Sequence, residues 1–256
     1  MILSMTTRSF ELKYTESDTQ TAPLIESHCH VRFEMIAVIT GSVDILIEGH
    51  THRCKKGEVA IIPPLTYHSV TLPDTSEYKR ITALFDGSSL PPIISKKLTE
   101  NIQAKPIFSL EALPYMTASL HKAIEKRDTE TYSPLAEAIA LQIIYTCAEE
   151  KRPEHSSTET PIDDVLENAI KYVDSHITEK LTLENVAQAL FISRSSLCHI
   201  FSERMQISPK QYIIQKKMAY ASMLIENGTP MTQAARAVGY ENYSNFYRIR
   251  KRFATK

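Results

Sequence analysis

From Leu181 to Phe201 the apolar positions recur at three- and four-residue spacing in two short runs instead of one long one. Leu183, Val186, Ala187 and Leu190 make the first stripe; Thr182 precedes it as an N-cap, and Leu181 can staple against Val186. After Phe191 and Ile192, Ser193 offers a second cap. Leu197, Ile200 and Phe201 then face one way, while Arg194, Ser195, Cys198, His199 and Ser202 face the other. The spacing predicts two short helices joined by a tight turn, the second with a polar outer side. The pattern returns at Thr229-Pro230, where Met231, Ala234, Ala235 and Val238 form an inward face and Gly239 supplies a left-handed end. Asn242 caps the helix that follows. Its inner side carries Phe246 and Ile249, its outer side Tyr243, Ser244, Tyr247, Arg248 and Lys251. Between the two units, Ser208-Pro209 with Gln211 opens a longer helix with the stripe Ile214, Met218, Ala221 and Ile225, closed by Asn227-Gly228.

Residues 1 to about 105 follow a shorter period. Phe33 to Ile39, Val43 to Ile47, Val59 to Ile62, Ser69 to Leu72 and Ile81 to Phe85 are β-rich runs bounded by Gly, Pro and Asp, as in an antiparallel sandwich or barrel. Gly41-Ser42 and Gly49-His50 are expected as hairpin turns. From Ser109 to Glu150 the helical period resumes, with Leu113, Met116, Leu120 and Ile124 on one helix and Leu135, Ile139, Ile143 and Cys147 on the other. Lys151 to Thr160 has the composition of a linker, and Thr160-Pro161 is expected to cap a helix with the stripe Ile162, Leu166, Ala169 and Val173.

A chain of 256 residues has room for two domains with cores of their own. Its net charge of -1 does not point to nucleic acid, but residues 162–256 hold 13 Lys+Arg against 9 Asp+Glu, and residues 1–161 hold 16 against 21. This modest asymmetry leaves phosphate attraction weak and salt-sensitive, so specific contacts or dimerisation must supply the rest. Cys29, Cys54, Cys147 and Cys198 form no C-x-x-C pair, and no leader-like or membrane-spanning run is evident, so a reducing cytoplasm is expected.

The doubled unit resembles the paired helix-turn-helix domain of the AraC/XylS family of bacterial transcription regulators. The carriers are Leu181-Thr182-Leu183, Ala187, Ser193, Leu197, Phe201, Ser208-Pro209, Tyr212, Ala221, Leu224, Ala235, Gly239-Tyr240, Ser244 and Phe246. There are departures. Lys217 stands where the family usually has Arg, Arg250 stands in a normally apolar aromatic slot, and the pattern stops at Phe253-Ala254-Thr255-Lys256 without the usual Gly, Pro and final helix. Upstream, His28-Cys29-His30, Glu34 and Gly41, then Gly57, Pro63 and His68, are similar to the two cupin motifs, with Leu65 and Leu72 replacing the usual Gly and Asn. Many regulators of this family carry such a domain.

These resemblances imply an α+β chain: a cupin-like N-terminal β-barrel over residues 1–108 and a helical pair over 109–150 that commonly forms the dimer contact. A linker over 151–160 and an all-α paired helix-turn-helix DNA-binding domain over 161–256 complete it. Matched to the family's motif, Arg194, Ser195, Cys198 and His199 of the first unit and Tyr243, Ser244, Arg248 and Lys251 of the second are expected to contact DNA. His28, His30, Glu34 and His68 match positions that bind metal in cupin enzymes, and such a set suits Fe, Mn, Ni or Zn. Regulatory cupins often keep these residues without metal. They are therefore expected, with Phe33 and Tyr67, to contact an organic effector, with no cofactor. The implied function is a non-enzymatic, effector-responsive transcription regulator, a homodimer on an operator, meeting RNA polymerase if it activates. The alternatives are a cupin metalloenzyme with a DNA-binding appendage and a regulator whose cupin is only a scaffold.

Overall fold

The computed structural model describes residues 1–17, 25–72, 77–126, 129–150 and 164–254. Lys151 to Thr160, the Thr160-Pro161 cap and Ile162 lie outside them.

The strands are β1 (Ile2–Thr6), β2 (Phe10–Ser17), β3 (Ile25–His28), β4 (Phe33–Thr40), β5 (Ser42–Ile47), β6 (His50–Lys55), β7 (Glu58–Ile62), β8 (His68–Thr71), β9 (Tyr78–Phe85) and β10 (Ile107–Ser109). They form one six-stranded sheet, ordered β1-β2-β9-β4-β7-β10, and one four-stranded sheet, ordered β3-β8-β5-β6. Among the described residues the expected barrel is two facing sheets, not a closed ring of hydrogen-bonded strands. Gly41 is likewise no hairpin turn: β4 and β5 belong to different sheets, and Gly41 (φ 78) carries the chain across. Glu48-Gly49 does close a hairpin, between β5 and β6.

Alternation along β4 explains the layering. Phe33, Met35 and Ala37 enter a core shared with helices, whereas Ile36 and Val38 enter the core between the sheets with Val43, Ile45, Ile62 and Val70. The large sheet is thus covered on one face by helices α1 (Pro92–Ala104), α2 (Leu113–Lys126) and α3 (Thr129–Glu149), and on the other by the small sheet. Sequence periodicity did not reveal α1. The stripe expected at a dimer contact is spent inside the chain, because Ile139 and Ile143 are buried in the helix–sheet core. Leu135 (47% exposed) and Tyr145 (37%) lie on the outer side of α3.

The second half is helical: α4 (Val165–Ser175), α5 (Leu183–Ala189), α6 (Arg194–Met205), α7 (Pro209–Glu226), α8 (Met231–Ala237) and α9 (Tyr243–Ala254). Asp164 caps α4 by accepting from Leu166 N, Thr182 and Asn185 form a capping box on α5, Ser193 caps α6, and Ser208 with Gln211 boxes α7. Leu166, Val173, Val186, Leu197, Phe201 and Tyr212 form one core, and Met218, Ala221, Ala234, Val238 and Phe246 the other. Helix α7 contributes to both.

Candidate functional site

Cross-strand register builds the first site. His28 of β3 stands opposite His68 of β8, which puts both side chains on one face of the small sheet. His68 shares the inward parity of Val70, and Glu34 shares that of Ile36 and Val38, so the two sheets converge on one point. His30 follows two residues after His28. The ligand-capable atoms of His28, His30, Glu34 and His68 lie within 4.8 Å of one another. Glu34 Oε2 lies 3.0 Å from His68 Nε2 and 3.3 Å from His30 Nε2. His68 is fully buried, and its Nδ1 lies 2.9 Å from Thr66 O. Since a carbonyl only accepts, Nδ1 carries the proton. Burial works against the Glu34 carboxylate, but the two imidazoles hold its pKa well below the usual range.

Of the six residues expected around an effector, these four gather. Phe33 does not, because alternation sends it to the opposite face of β4, where it stacks on Phe85 at 5.2 Å. Tyr67 is also directed away: it is fully buried against the helical half, with its ring 5.7 Å from that of Tyr212. The residues therefore fit an ion better than a large organic molecule. Three imidazoles and a carboxylate are a transition-metal donor set, and His30 Nδ1 is buried without a hydrogen-bond partner.

A second arrangement, not anticipated from the sequence, joins the halves at Glu48. With φ 45 at Glu48 and φ 84 at Gly49, the turn has two left-handed residues, a geometry that favours Asn, Asp or Gly at the first. Three bonds to the Glu48 carboxylate hold it there. Tyr67 N donates to Oε1 at 2.9 Å, Tyr212 Oη to Oε2 at 2.8 Å, and Lys216 Nζ to Oε1 at 3.2 Å. Lys216, only 5% exposed, also donates to Leu65 O at 2.6 Å and pairs with Asp174 at 2.8 Å. Burial works against its ammonium, yet Glu48 and Asp174 hold its pKa above the ordinary lysine value. Burial also raises the Tyr212 pKa, reinforced by Glu48. Gly49 approaches so closely that a Cβ on it would stand 2.4 Å from Leu166 Cδ2. At the edge of the contact, Arg204 pairs with Asp164 at 2.5 Å and lies 3.4 Å from His50 Nε2.

The neighbouring Lys217 joins the two helix-turn-helix units. Its Nζ donates to Glu179 O on the first side and to Val238 O, at 2.7 Å, on the second. Gly239 (φ 77) lies against the same strand of backbone, where a Cβ would come within 2.6 Å of Glu179 O. A partial signal was present in the sequence: Lys217 falls three residues after Ile214 and four before Ala221, on the apolar stripe of α7.

The residues expected at DNA stand on two polar faces. On α6, Arg194, Ser195 and His199 are exposed and Cys198 is half-buried; on α9, Tyr243, Ser244, Arg248 and Lys251 are exposed. Arg194 pairs with Glu184 at 2.9 Å with both side chains 64% exposed, an interaction worth about 0–1 kcal/mol that a phosphate can displace. Arg248 is steadied by Asn245 Oδ1 at 3.0 Å. Arg250 turns inward, and its Nε is buried without a partner.

Residues 14–155 match the family model described as AraC-like ligand binding domain, and residues 186–255 match the one described as helix-turn-helix domain. The lactose operon transcription activator of Staphylococcus xylosus is 31% identical over 103 residues, 40% of this chain and 37% of that protein. The probable transcriptional regulator LumQ of Photobacterium leiognathi is 27% identical over 165 residues, 62% of each chain. This chain thus spans less than two thirds of either relative. A crystal structure of ToxT from Vibrio cholerae O395 is similar over 96% of this chain and 94% of that one, at 15% identity and a TM-score of 0.42.

Proposed function

This chain belongs to the AraC-type transcription regulators that pair an AraC-like ligand binding domain with a helix-turn-helix domain, and from that premise we propose that it binds an operator and changes its grip on DNA when the N-terminal domain takes up a small ligand. The observation that carries this reading is the pair of exposed polar helix faces held by one connecting helix, α7, which is itself bonded to the N-terminal domain through Lys216.

In the first unit, Ser195, Cys198 and His199 face the bases, with Arg194 at a phosphate. In the second, Tyr243, Ser244 and Arg248 face the bases, with Lys251 at a phosphate. Arg248 alone has the rigid bidentate fork that suits guanine. The ligand contacts His28, His30, Glu34 and His68. Two chains pair on DNA, and with Ile139 and Ile143 spent internally, the outer side of α3 around Leu135 and Tyr145 is the surface for it. Activation, the role named for the Staphylococcus relative, adds RNA polymerase as a partner. Among the described residues no helix is long and apolar enough to cross a membrane, which suits a protein working on cytoplasmic DNA.

Footprinting on an operator selected from random DNA tests this reading. Wild type is expected to protect two groove segments on one face of the duplex. His199→Ala should weaken one segment and Arg248→Ala the other, the latter costing about 1–3 kcal/mol at a single base position. Protection of one segment, unaltered by Arg248→Ala, refutes the assignment of the second unit.

A further inference from the structure

We propose that the N-terminal domain carries a separate ligand site in the cleft between α2 and the helix-covered face of the large sheet, and that this site takes a compact organic acid, one carboxylate on an apolar body. The cleft shares no residue with the histidine cluster between the sheets, and the proposal does not rest on the regulator reading above. Its volume is about 400 Å³. That is at the low end of the roughly 300–1,000 Å³ of small-molecule pockets, so the occupant has to be small.

The sheet is irregular where the cleft lies. β4 pairs with β9 in even register from Phe33 opposite Phe85 to Val38 opposite Arg80, and then slips, so that Thr40 rather than Ile39 stands opposite Lys79. The extra residue is a bulge, a device that bends a strand and re-aims its side chains. Ile39 and Thr40 line one side of the cleft with Gly57, where a Cβ would meet nothing within 4 Å. The other side is the first half of α2, with Leu113 fully buried and Ala118 exposed. The Thr117 hydroxyl donates to Leu113 O at 2.9 Å and is spent within its own helix.

The charged groups that line the cleft are of one sign: two lysines contribute, and no Asp or Glu does. Lys79 Nζ pairs with Glu16 at 2.9 Å and with Glu77 at 2.6 Å, which offsets its charge and leaves one of its three N–H groups over. Lys56 is exposed and has no ion pair among the described residues. His121 stacks on Tyr14 with ring centroids 3.9 Å apart, and its Nε2 is buried without a hydrogen-bond partner. One uncompensated ammonium matches one negative charge. The spare N–H of Lys79, and His121 with its proton on Nε2, are further donors for the two oxygens of a carboxylate. An amine or a metal cation would instead meet two ammonium groups, and a dianion would be repelled by the carboxylates already paired with Lys79. Ile39, Leu113 and Pro114 suit the apolar remainder of the molecule.

The test uses the full chain and three probes: cyclohexanecarboxylate, its uncharged isostere cyclohexanecarboxamide, and inorganic phosphate. Titration followed by NMR should show the carboxylate saturating one site per chain in the millimolar range or tighter, with the His121 ring signals, assigned by their loss in His121→Phe, among those that move. The amide should bind at least tenfold more weakly, and phosphate should not displace the carboxylate. Lys56→Met, a change at an exposed side chain, should weaken the carboxylate severalfold. Ala118→Phe, also at an exposed position, should fill the cleft and abolish binding while the fold, read by circular dichroism, is kept. Absence of saturable carboxylate binding overturns the proposal. Binding that survives both Lys56→Met and Ala118→Phe puts the ligand elsewhere and overturns the site. Equal affinity for the amide, or displacement by phosphate, overturns the ligand class.

Discussion

Lys217 offers the sharpest quantitative test of how the two helix-turn-helix units are held. The residue is only 5% exposed, and its ammonium donates to two carbonyl oxygens contributed by different units. Lys217→Met keeps the stem that packs in α7 and removes both donors. A buried carbonyl left without a partner costs about 1–3 kcal/mol. Val238 O is buried and Glu179 O only partly so, which places the expected loss at about 2–3 kcal/mol. That is a large share of the roughly 5–15 kcal/mol that holds a domain together. Lys217→Arg, which restores the family's usual residue and supplies more donors, should cost less than about 1 kcal/mol. Urea unfolding of the full chain followed by circular dichroism reads both, and footprinting reads the consequence, since the spacing of α6 and α9 loosens with the bond. A loss under about 0.5 kcal/mol for Lys217→Met, the range of an ordinary surface change, with an unaltered footprint, refutes the role given to Lys217.

Three further outcomes are expected. Gly49→Ala should undock the halves, because the new Cβ meets Leu166 Cδ2 at 2.4 Å in a left-handed backbone; small-angle scattering should show a larger radius of gyration, and an unchanged profile counts against the contact. The folded-state pKa values of Lys216 and Tyr212 are raised, so their stabilisation is complete below the unfolded values near about 10 and disappears as pH climbs through the folded ones. The urea midpoint should therefore drop above about pH 10 in wild type, and less steeply in Lys216→Met. Leu135→Glu combined with Tyr145→Glu should give a monomer by light scattering if α3 pairs two chains; a variant that remains dimeric moves the interface elsewhere.

Local order was legible where capping and periodicity agreed. Thr182, Ser193 and Ser208 cap the helices their spacing predicts, because each places a hydroxyl where a free backbone N–H needs it. The histidine cluster was legible as a motif, but its membership was not. Phe33 and Glu34 are neighbours in sequence and on opposite faces of β4, and only the layering of the sheets tells which face meets His68. The stripe of Ile139 and Ile143 announced burial without naming its partner, which proved to be the chain's own core. Gly41 carried the same turn signal as Gly49, yet one crosses between sheets and the other closes a hairpin, since a left-handed glycine serves either path. Glu48 was hidden because its importance lies in residues far along the chain.

The adjacent lysines of α7 have a consequence for descent as well as for stability. Consecutive helix positions project about 100° apart, so Lys216 reaches the N-terminal domain while Lys217 reaches across the two units, and neither occupies the outer faces of α6 or α9. On the proposed reading, changes at Ser195, His199, Ser244 or Arg248 alter the DNA contacts without touching the bonds of Lys216 and Lys217, and changes around His28 and His68 alter the N-terminal site without touching the outer faces of α6 and α9.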